Sequence, residues 1–445
     1  MDPTILRNTR VEASPLLSED FSGLKELPSF DVENASDFRK GILAYAASCE
    51  TACVIDSNYA TPHREEFVLA AIGSVEEVKL DSEEAAFDSL QDVLQAGSWY
   101  FGYLTYDLKN DLEDITSSNP DKLGFPSLHF FSPAVLIYLK DNKVYIKSDD
   151  GPSLFERISS MIPLESHDEN VHADLRPHPR REDYLKILEK LKGEIARGSV
   201  YEINFCRELS GIQNIHPLST YLSMSESSPA PFSAFYRIGQ KYLLCASPER
   251  FIMKSGMDLI SQPMKGTRRR SADAREDQEL RRELQEDRKE RAENVMIADL
   301  VRNDLSHTAR RGSVKVEELC GVYTFEHVHQ MISTVSSVLR DEVRVSDVLR
   351  HCFPMGSMTG APKLSAMGLI EENETFKRGL FSGSVGYITP NGNFDFNVVI
   401  RSILYDEATK ILSIPTGSAV TALCDPEMEW EECELKSKAL LSCLR

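Results

Sequence analysis

"GSVYEINFCREL", residues 198–209, alternates apolar and polar side chains over most of its length. The apolar set is Tyr201, Ile203 and Phe205, and the intervening set is Glu202, Asn204 and Cys206. A period of two is typical of a β-strand that packs one face against a core. The other face, which carries a carboxylate and an amide, is therefore expected to line a cleft.

A helix is predicted directly before this strand. Apolar side chains recur there at helical spacing, at Tyr184, Leu185, Leu188, Leu191 and Ile195. Gly198 stands where a C-terminal cap belongs. Further along, "KYLLCASPERF" predicts a strand that ends in a turn at Pro248, and "GLFSGSVGYITPNGNFDFNVVIRSILYD" predicts three strands with a hairpin signal at "PNGN". The charged run 273–304 predicts long helix, so strands and helices are mixed.

The chain's size and charge limit its possible functions. Its 445 residues are enough for two or three average domains or for one large two-part enzyme. The polar, proline-bearing segment 165–183 is the best candidate boundary, and it separates an N-terminal region, 1–165, from a second region, 182–440. A formal net charge of −20 argues against nucleic acid as the main partner, because phosphate backbones select for clustered positive charge.

Cysteine usage and hydropathy predict the compartment. Nine cysteines are an odd number, and they form no C-x-x-C motif or metal-type pairing with histidine. The first residues lack a basic segment followed by an apolar one, and no run of eighteen apolar residues occurs. We expect a soluble, cytoplasmic protein with reduced thiols and no membrane association.

One lysine lies in an unusual setting. In "SQPMKGTRRR", residues 261–270, Lys265 falls within a predicted Pro-Met-Lys-Gly-Thr turn and is followed by three arginines. Most lysines are solvated surface residues, and that interpretation applies here too. A lysine held at a fixed angle over a small anion would instead use both the proline and the glycine, either as a nucleophile or as an anchor for a carboxylate.

Two pairs of glutamates have the spacing of metal ligands on a helix. Glu290 and Glu293 are three residues apart, as are Glu429 and Glu432, so each pair points from one helical face. Brought together, the two pairs would form an all-oxygen site suited to Mg²⁺. Both segments are highly charged, so solvated faces are the ordinary alternative.

Three further patterns are candidates for binding. Arg401 in "VVIRS" is predicted inside an apolar strand, where it would face an anion or a wet cleft. Glu249 in "SPER" is either a functional acid or a salt-bridge partner beside a turn. "GSMTGAPK" and "PTGSAV" are predicted to be turns whose free N–H groups would receive carboxylates, or else ordinary loops.

Taken together, these segments resemble the chorismate-utilising enzymes, the family of anthranilate synthase component I, aminodeoxychorismate synthase component I, isochorismate synthase and salicylate synthase. The matching motifs run in order through "GSVYEINF", "SPERF", "PMKGTRRR", "AENVMIADLVRNDL", "FPMGSMTGAPK", "GSVGYI", "FNVVIRS", "TGSAV" and "PEMEWEECELKSKA". "WYFGYLTYDL" is similar to the family's N-terminal region. The resemblance implies an α/β (α+β) fold of two stacked antiparallel sheets with outer helices and a site in the cleft between them.

The resemblance also implies the site residues. Mg²⁺ would be held by Glu290, Glu293, Glu429 and Glu432. Chorismate would be bound by Thr359, Gly360, Tyr387, Arg401, Gly417, Ser418 and Ala419. Lys265 matches the lysine with which the C4-aminating enzymes are thought to attack C2 of chorismate, and Glu249 matches the acid that protonates the departing hydroxyl. Ammonia would enter at C4 from a separate glutamine amidotransferase subunit, giving 4-amino-4-deoxychorismate on the route to para-aminobenzoate and folate.

An attacking lysine must be neutral, and Arg268, Arg269 and Arg270 are expected to help lower its pKa. Three positions depart from the family pattern: Glu202, where the amine-adding members carry glutamine; Gln330, where a histidine is common; and Ala419, where a glycine is usual. His329, next to Gln330, is expected to point elsewhere. The alternatives are anthranilate synthase component I, which aminates C2 and releases pyruvate, and a catalytically silent chorismate-binding subunit.

Overall fold

The structure is a computed structural model that describes residues 21–61, 64–94, 97–161, 174–326 and 328–445. Of the predicted boundary segment 165–183, residues 165–173 lie outside the described residues. The helices are α1 Ala35–Ala47, α2 Ala86–Val93, α3 Lys109–Leu112, α4 Gly151–Ser159, α5 Arg181–Arg197, α6 Pro217–Ser227, α7 Ala274–Glu286, α8 Arg288–Ser306, α9 Val345–Cys352, α10 Lys363–Asn373 and α11 Pro426–Leu441, with short 3₁₀ turns at Ser22–Glu26, Tyr106–Leu108 and Gly356–Met358.

The strands outnumber the helices. They are β1 Ser29–Asp31, β2 Thr51–Ser57, β3 Phe67–Leu80, β4 Tyr100–Leu104, β5 Leu128–Lys140, β6 Lys143–Lys147, β7 Arg176–His178, β8 Glu202–Ile212, β9 Phe232–Ile238, β10 Lys241–Ser247, β11 Arg250–Ser255, β12 Asp258–Gln262, β13 Met264–Arg269, β14 Lys315–Thr324, β15 Val328–Val338, β16 Gly360–Ala361, β17 Ser384–Ile388, β18 Phe394–Asn397, β19 Ser402–Asp406 and β20 Ile411–Thr421. Every pairing between these strands is antiparallel.

The strands form two sheets that share β3 and β5. The first sheet runs β1, β6, β5, β3, β2, β9, β10, β19, β20, β8 and β7, with β16 beside the start of β8. The second sheet begins at the N-terminal half of β5 and continues in the order β4, β17, β18, β11, β12, β15 and β14. Strands β12 and β13 pair with successive parts of β15. Both sheets therefore contain strands from the two predicted regions, which are joined where β2 pairs with β9 and where β4 pairs with β17.

The sheets are stacked on a common core, as the family resemblance implies. In β2, Cys53 and Ile55 face this core together with Phe101 and Tyr387 of the second sheet. The alternate β2 side chains belong to a separate cluster that helices α1, α4 and α6 cover from outside. This period-two division of β2 is what allows one sheet to pack against a sheet on one face and helices on the other.

The helix and the strand predicted around "GSVYEINFCREL" are confirmed, except that Tyr201 lies before β8 and is exposed. Helix α5 ends at Gly198, which adopts the left-handed conformation expected of a C-terminal cap, with φ 82°. In β8, Ile203 and Phe205 pack against α5 and α10. The charged run 273–304 forms two helices, because Asp287 ends α7 and caps α8 by accepting hydrogen bonds from backbone N–H groups of the next turn.

None of the nine cysteines, all of which lie in the described residues, forms a disulfide. Across the part of the chain that the structure describes, no helix is long and apolar enough to span a membrane.

Candidate active site

Lys265 lies on β13, in a strand rather than in the predicted turn. The register with β15 shifts between Met264 and Thr267, so the lysine is at a bulge that turns its side chain out of the regular alternation. Gly266 follows with φ 84°. Gln330 fixes this segment, since its amide donates to the Gly266 carbonyl at 2.8 Å and accepts from the Thr267 hydroxyl at 2.9 Å. The departure at Gln330 thus has a positioning role.

The Lys265 side chain is buried among carboxylates, which contradicts the solvated interpretation. Its Nζ lies 2.7 Å from Oε1 of Glu202 on β8, so this ion pair joins the two sheets. The side chains are 13% and 1% exposed. Burial acts to lower the pKa of Lys265, but Glu202 and Glu293 outweigh it and raise that pKa above its ordinary value.

The expectation that the three arginines lower the pKa of Lys265 is wrong. Arg268 pairs with Asp287 at 2.6 Å, and Arg269 with Glu276 at 2.5 Å. Arg270 holds both oxygens of Asp277, at 2.8 and 2.9 Å. Each guanidinium is therefore neutralised by an acid at the start of α7 or α8, and the charges that act on Lys265 are negative. His329 also contacts Asp277 and, as predicted, points away from the site.

Glu249 is a buried carboxyl that acts electrostatically on Lys265. It lies in the turn between β10 and β11 and is 5% exposed. Burial raises the pKa of Glu249 to about 7, against the opposing effects of a hydrogen bond from Ser357 and the charge of Lys265. At neutral pH a large fraction of this group carries a proton, as a general acid requires. The geometry thus favours a functional acid over a turn-side salt bridge.

The two predicted glutamate pairs lie on helices, as expected, and converge. Glu290 and Glu293 project from α8, and Glu429 and Glu432 from α11. Lys289 marks the place where they meet, because all four carboxylates act on its charge and together raise its pKa, outweighing the effect of burial. Glu293 and Glu429 are only 8% and 6% exposed, which argues against a solvated helix face.

These donors fit a hard divalent cation. Oε1 of Glu293 is buried and has no hydrogen-bond partner in the described part of the chain. The Lys289 ammonium approaches this atom at 3.9 Å and Oε1 of Glu429 at 3.7 Å, so a positive charge already lies between the pairs. Among the described residues, no three acidic, histidine or cysteine side chains are drawn close enough to form a finished metal site. The carboxylates match the preference of Mg²⁺ for few oxygen ligands.

Arg401 lies in a bend between β18 and β19 and not inside a strand, which corrects the sequence prediction. Its backbone is left-handed, with φ 51°. The side chain is exposed, and Glu432 acts on its charge. Within the described residues its guanidinium makes no hydrogen bond or ion pair, so it is available to an anion.

"GSMTGAPK" forms a turn only in part, because the 3₁₀ turn Gly356–Met358 is followed by strand β16, which pairs with β8. The Thr359 hydroxyl is fully buried and donates to the Met355 carbonyl at 3.1 Å. Gly360 has φ 150°, and a Cβ there would lie 2.1 Å from the carbonyl oxygen of Glu202. These two predicted substrate-binding residues therefore hold the strand that carries Glu202.

"PTGSAV" belongs to strand β20, so the prediction of a turn is wrong. Gly417, Ser418 and Ala419 pair with Cys206, Phe205 and Asn204 of β8. Beyond Ser413 the second edge of β20 has no partner strand among the described residues, so alternate N–H groups point away from β8. Lys436 of α11 donates to the Gly417 carbonyl at 2.8 Å and ties this edge to the glutamate helix.

Tyr387 is not brought to the cleft. Its side chain is 2% exposed, and its ring packs among Phe21, Trp99 and Phe101 in the core between the sheets.

Sequence reasoning missed Lys289 and Ser357, because a lysine in a charged helix and a serine in a glycine-rich turn carry no distinctive pattern. The electrostatic contacts instead bring together Lys265, Glu202, Glu249, Glu293, Glu432 and Arg401.

Known proteins are similar to this chain in sequence and in fold. A family model described as chorismate binding enzyme matches residues 46–442. Anthranilate synthase component 1 of Thermus thermophilus is 33% identical over 355 residues, which are 77% of this chain and 76% of that protein. Aminodeoxychorismate synthase of Streptomyces griseus is 40% identical over 266 residues, which are 59% of this chain and 36% of that protein. The match thus covers about a third of that relative.

A solved structure supports the architecture. The crystal structure of anthranilate synthase component I from Streptococcus pneumoniae superposes with a TM-score of 0.73, covering 86% of this chain and 93% of that one at 23% identity. At that identity the likeness supports the fold alone.

Proposed function

The chain belongs to the chorismate binding enzyme family, and on that premise we propose that it aminates chorismate at C4 to give 4-amino-4-deoxychorismate. The observation that carries the proposal is the burial of Lys265 in an ion pair that joins the two sheets, where it is acted on by the charge of Glu249, a buried carboxyl whose pKa is raised to about 7. A lysine placed there forms a covalent bond with substrate, whereas amination at C2 has no need of one.

Two side chains carry out the substitution. The Nζ of Lys265 attacks C2 of chorismate while Glu249 gives its proton to the 4-hydroxyl, which leaves as water. Hydroxide is a poor leaving group, so this proton transfer is essential. Ammonia then bonds to C4, the bond between C2 and Lys265 breaks, and Glu249 recovers a proton from the new ammonium group.

The substrate's carboxylates are held by groups that lack protein partners. Arg401 would bind one of them, and the outward N–H groups of β20 near Gly417 would bind it from a second direction. Glu290, Glu293, Glu429 and Glu432 would hold Mg²⁺. When bound, this ion supplies positive charge that neutralises a second substrate carboxylate.

The nitrogen source is the second part of the proposal. We propose that a glutamine amidotransferase subunit delivers ammonia to this chain for para-aminobenzoate and folate synthesis. The purified chain should then use ammonium salts but not glutamine, and addition of the amidotransferase should make glutamine usable.

The rival activity is C2 amination with loss of pyruvate, the reaction of anthranilate synthase component I, a name carried by one of the similar proteins. The test is to incubate the purified chain with chorismate, Mg²⁺ and ammonium chloride and to identify the product by mass. The expected product retains the pyruvyl ether, whereas anthranilate does not.

The variant Lys265→Ala tests the role of the lysine in the same assay. It should lose most turnover, and residual product should shift toward addition at C2. Formation of aminodeoxychorismate by this variant at the wild-type rate would show that Lys265 only anchors a carboxylate, and anthranilate from the wild type would refute C4 amination. A chain that binds chorismate and forms neither product would be the silent subunit.

A further inference from the structure

Glu202 is the single carboxylate within hydrogen-bond distance of Lys265 among the described residues. Its Oε1 lies 2.7 Å from the lysine Nζ, and its side chain is 1% exposed. Glu293, Glu249 and Glu432 also act on the charge of Lys265, from α8, from the turn before β11 and from α11. None of these three forms an ion pair with the lysine, so a proton that leaves Nζ along an existing hydrogen bond goes to Glu202.

The second oxygen of Glu202 is unused. Oε2 is buried without a hydrogen-bond partner in the described part of the chain. A purely structural glutamate looks different: both oxygens of Glu374 are fixed, one by the backbone N–H of Cys206 at 2.8 Å and by Arg378, the other by Arg378 at 2.9 Å. Donors on both oxygens stabilise the charged form and make a carboxylate a poor base. Glu202 has one donor, and that donor is the nucleophile.

The backbone at Glu202 is held firmly. Strand β16 pairs with it on one side, at Ala361, and β20 on the other, at Thr421. Gly360 approaches so closely that any side chain there would collide with the Glu202 carbonyl oxygen. A base placed on such a backbone keeps its distance to the nucleophile through the reaction.

We propose that Glu202 is the base that accepts the proton of Lys265 before the lysine attacks chorismate and returns it when the lysine departs. This inference rests on the proposed function. A glutamine here would keep the hydrogen bond but could not hold the proton, which would then have to leave to solvent. The glutamate at this position gives that proton an internal acceptor.

The protons and bonds balance over one cycle. The cycle starts from the Lys265 ammonium, the Glu202 carboxylate and the Glu249 carboxylic acid. Glu202 takes one proton, the bond from Nζ to C2 forms, and the bond from C4 to oxygen breaks as Glu249 protonates the oxygen to give water. Ammonia bonds to C4 and the bond from C2 to Nζ breaks. Glu202 then reprotonates Lys265, and Glu249 takes a proton from the C4 ammonium group.

The experiment measures the covalent step alone. The purified chain is mixed with chorismate and Mg²⁺ in the absence of ammonia and quenched at intervals. The adduct on Lys265 is then followed as a mass increase equal to chorismate minus water. In Glu202→Gln the adduct should form about 10²-fold more slowly at pH 7. Below pH 7, where Glu249 holds its proton, its rate should also rise about tenfold per pH unit, because the lysine must then lose its proton to solvent.

Two further variants separate the base from a structural role. Glu208→Gln removes another buried, ion-paired carboxylate of β8, the partner of Lys122 at 2.6 Å, and should form the adduct at the wild-type rate. Glu202→Ala should be inactive and should regain adduct formation when formate is added, because formate replaces the missing base. If Glu202→Gln does not fold, the rescue of Glu202→Ala by formate still tests whether Glu202 is the base.

The outcomes are distinct. Absence of adduct in the wild type would refute the nucleophilic lysine, and the proposed function with it. A wild-type adduct that also forms at the wild-type rate in Glu202→Gln would refute the role of Glu202 and leave the proposed function intact. Slow, folded Glu202→Gln together with no formate rescue of a folded Glu202→Ala would show that Glu202 only positions the lysine.

Discussion

The pKa of Glu249 offers a direct test of the general acid. Burial raises this pKa from 4.5 to about 7. The carboxylate therefore binds its proton roughly 300-fold more tightly than an ordinary glutamate does. A general acid acts in its protonated form, so adduct formation should be fastest below pH 7. It should fall about tenfold per unit above that value.

Ser357→Ala is the informative perturbation. Ser357 hydrogen-bonds the Glu249 carboxylate and lowers its pKa. A hydrogen bond to a charged group contributes about 1.5–3 kcal/mol. Since one pKa unit corresponds to about 1.4 kcal/mol, its loss should raise the pKa of Glu249 by about one to two units. At pH 9 the variant should therefore form the Lys265 adduct about 10- to 50-fold faster than the wild type, and at pH 6 about equally fast.

The assay is the rate of adduct formation against pH at saturating chorismate. Ser346→Ala is a matched control, because Ser346 is also buried but hydrogen-bonds Gln91 at 3.0 Å, away from the acid. An alkaline limb that stays in place in a folded Ser357→Ala, or that moves to lower pH, would refute the assignment of Glu249 as the acid.

Two predictions concern the metal and the bulge. Glu293→Gln removes a buried carboxylate and should raise the Mg²⁺ concentration needed for half-maximal activity by at least about tenfold. Glu431 is an exposed residue on α11, and Glu431→Gln should leave that concentration unchanged. Full activity of the wild type in excess chelator would contradict the metal site. Gly266→Ala should lower the free energy of unfolding by about 1–2 kcal/mol for its left-handed backbone and also impair activity, because its Cβ would lie 3.0 Å from Oε2 of Glu290. Gly256 also has a left-handed backbone, with φ 61°, but a Cβ there would have no neighbour within 4 Å. Gly256→Ala should therefore lower stability in a denaturant titration and keep its activity. Equal loss of activity in both variants would refute the contact with Glu290.

Local patterns in the sequence predicted the local structure well. The apolar spacing before Gly198 and the alternation through Ile203 and Phe205 both depend on short-range periodicity, and both are confirmed. The prediction of a turn at "PTGSAV" was wrong because glycine, serine and proline favour turns in isolation. In the protein residues 415–420 pair with residues 203–208 of β8, and Gly417 leaves room for Asn204 and Cys206. Tertiary pairing overrode the local preference.

The site could be predicted as a set of residues but not as an arrangement. Lys265 and Glu202 are 63 positions apart, and only the meeting of β13 with β8 brings them into contact. For that reason the arginines next to Lys265 in sequence seemed the natural influence on its pKa, although their side chains point to α7 and α8. The prediction that Tyr387 lines the cleft was wrong for a related reason. A tyrosine in a family motif cannot be assigned to the core or to the cleft until the face of its strand is known.

Arg401 links the strain in the backbone to the chemistry of the cleft. A left-handed conformation costs an arginine about 1–2 kcal/mol, and such strain persists only where the surroundings impose it. Here β10 imposes it, because the Ala246 N–H donates to the Arg401 carbonyl at 3.1 Å and Cys245 pairs with Ser402. Glu432 acts on the charge of the guanidinium, yet Arg401 forms no ion pair with it in the described residues. Under the proposed function, a carboxylate of the substrate would pair with this arginine, in a chain whose net charge is −20.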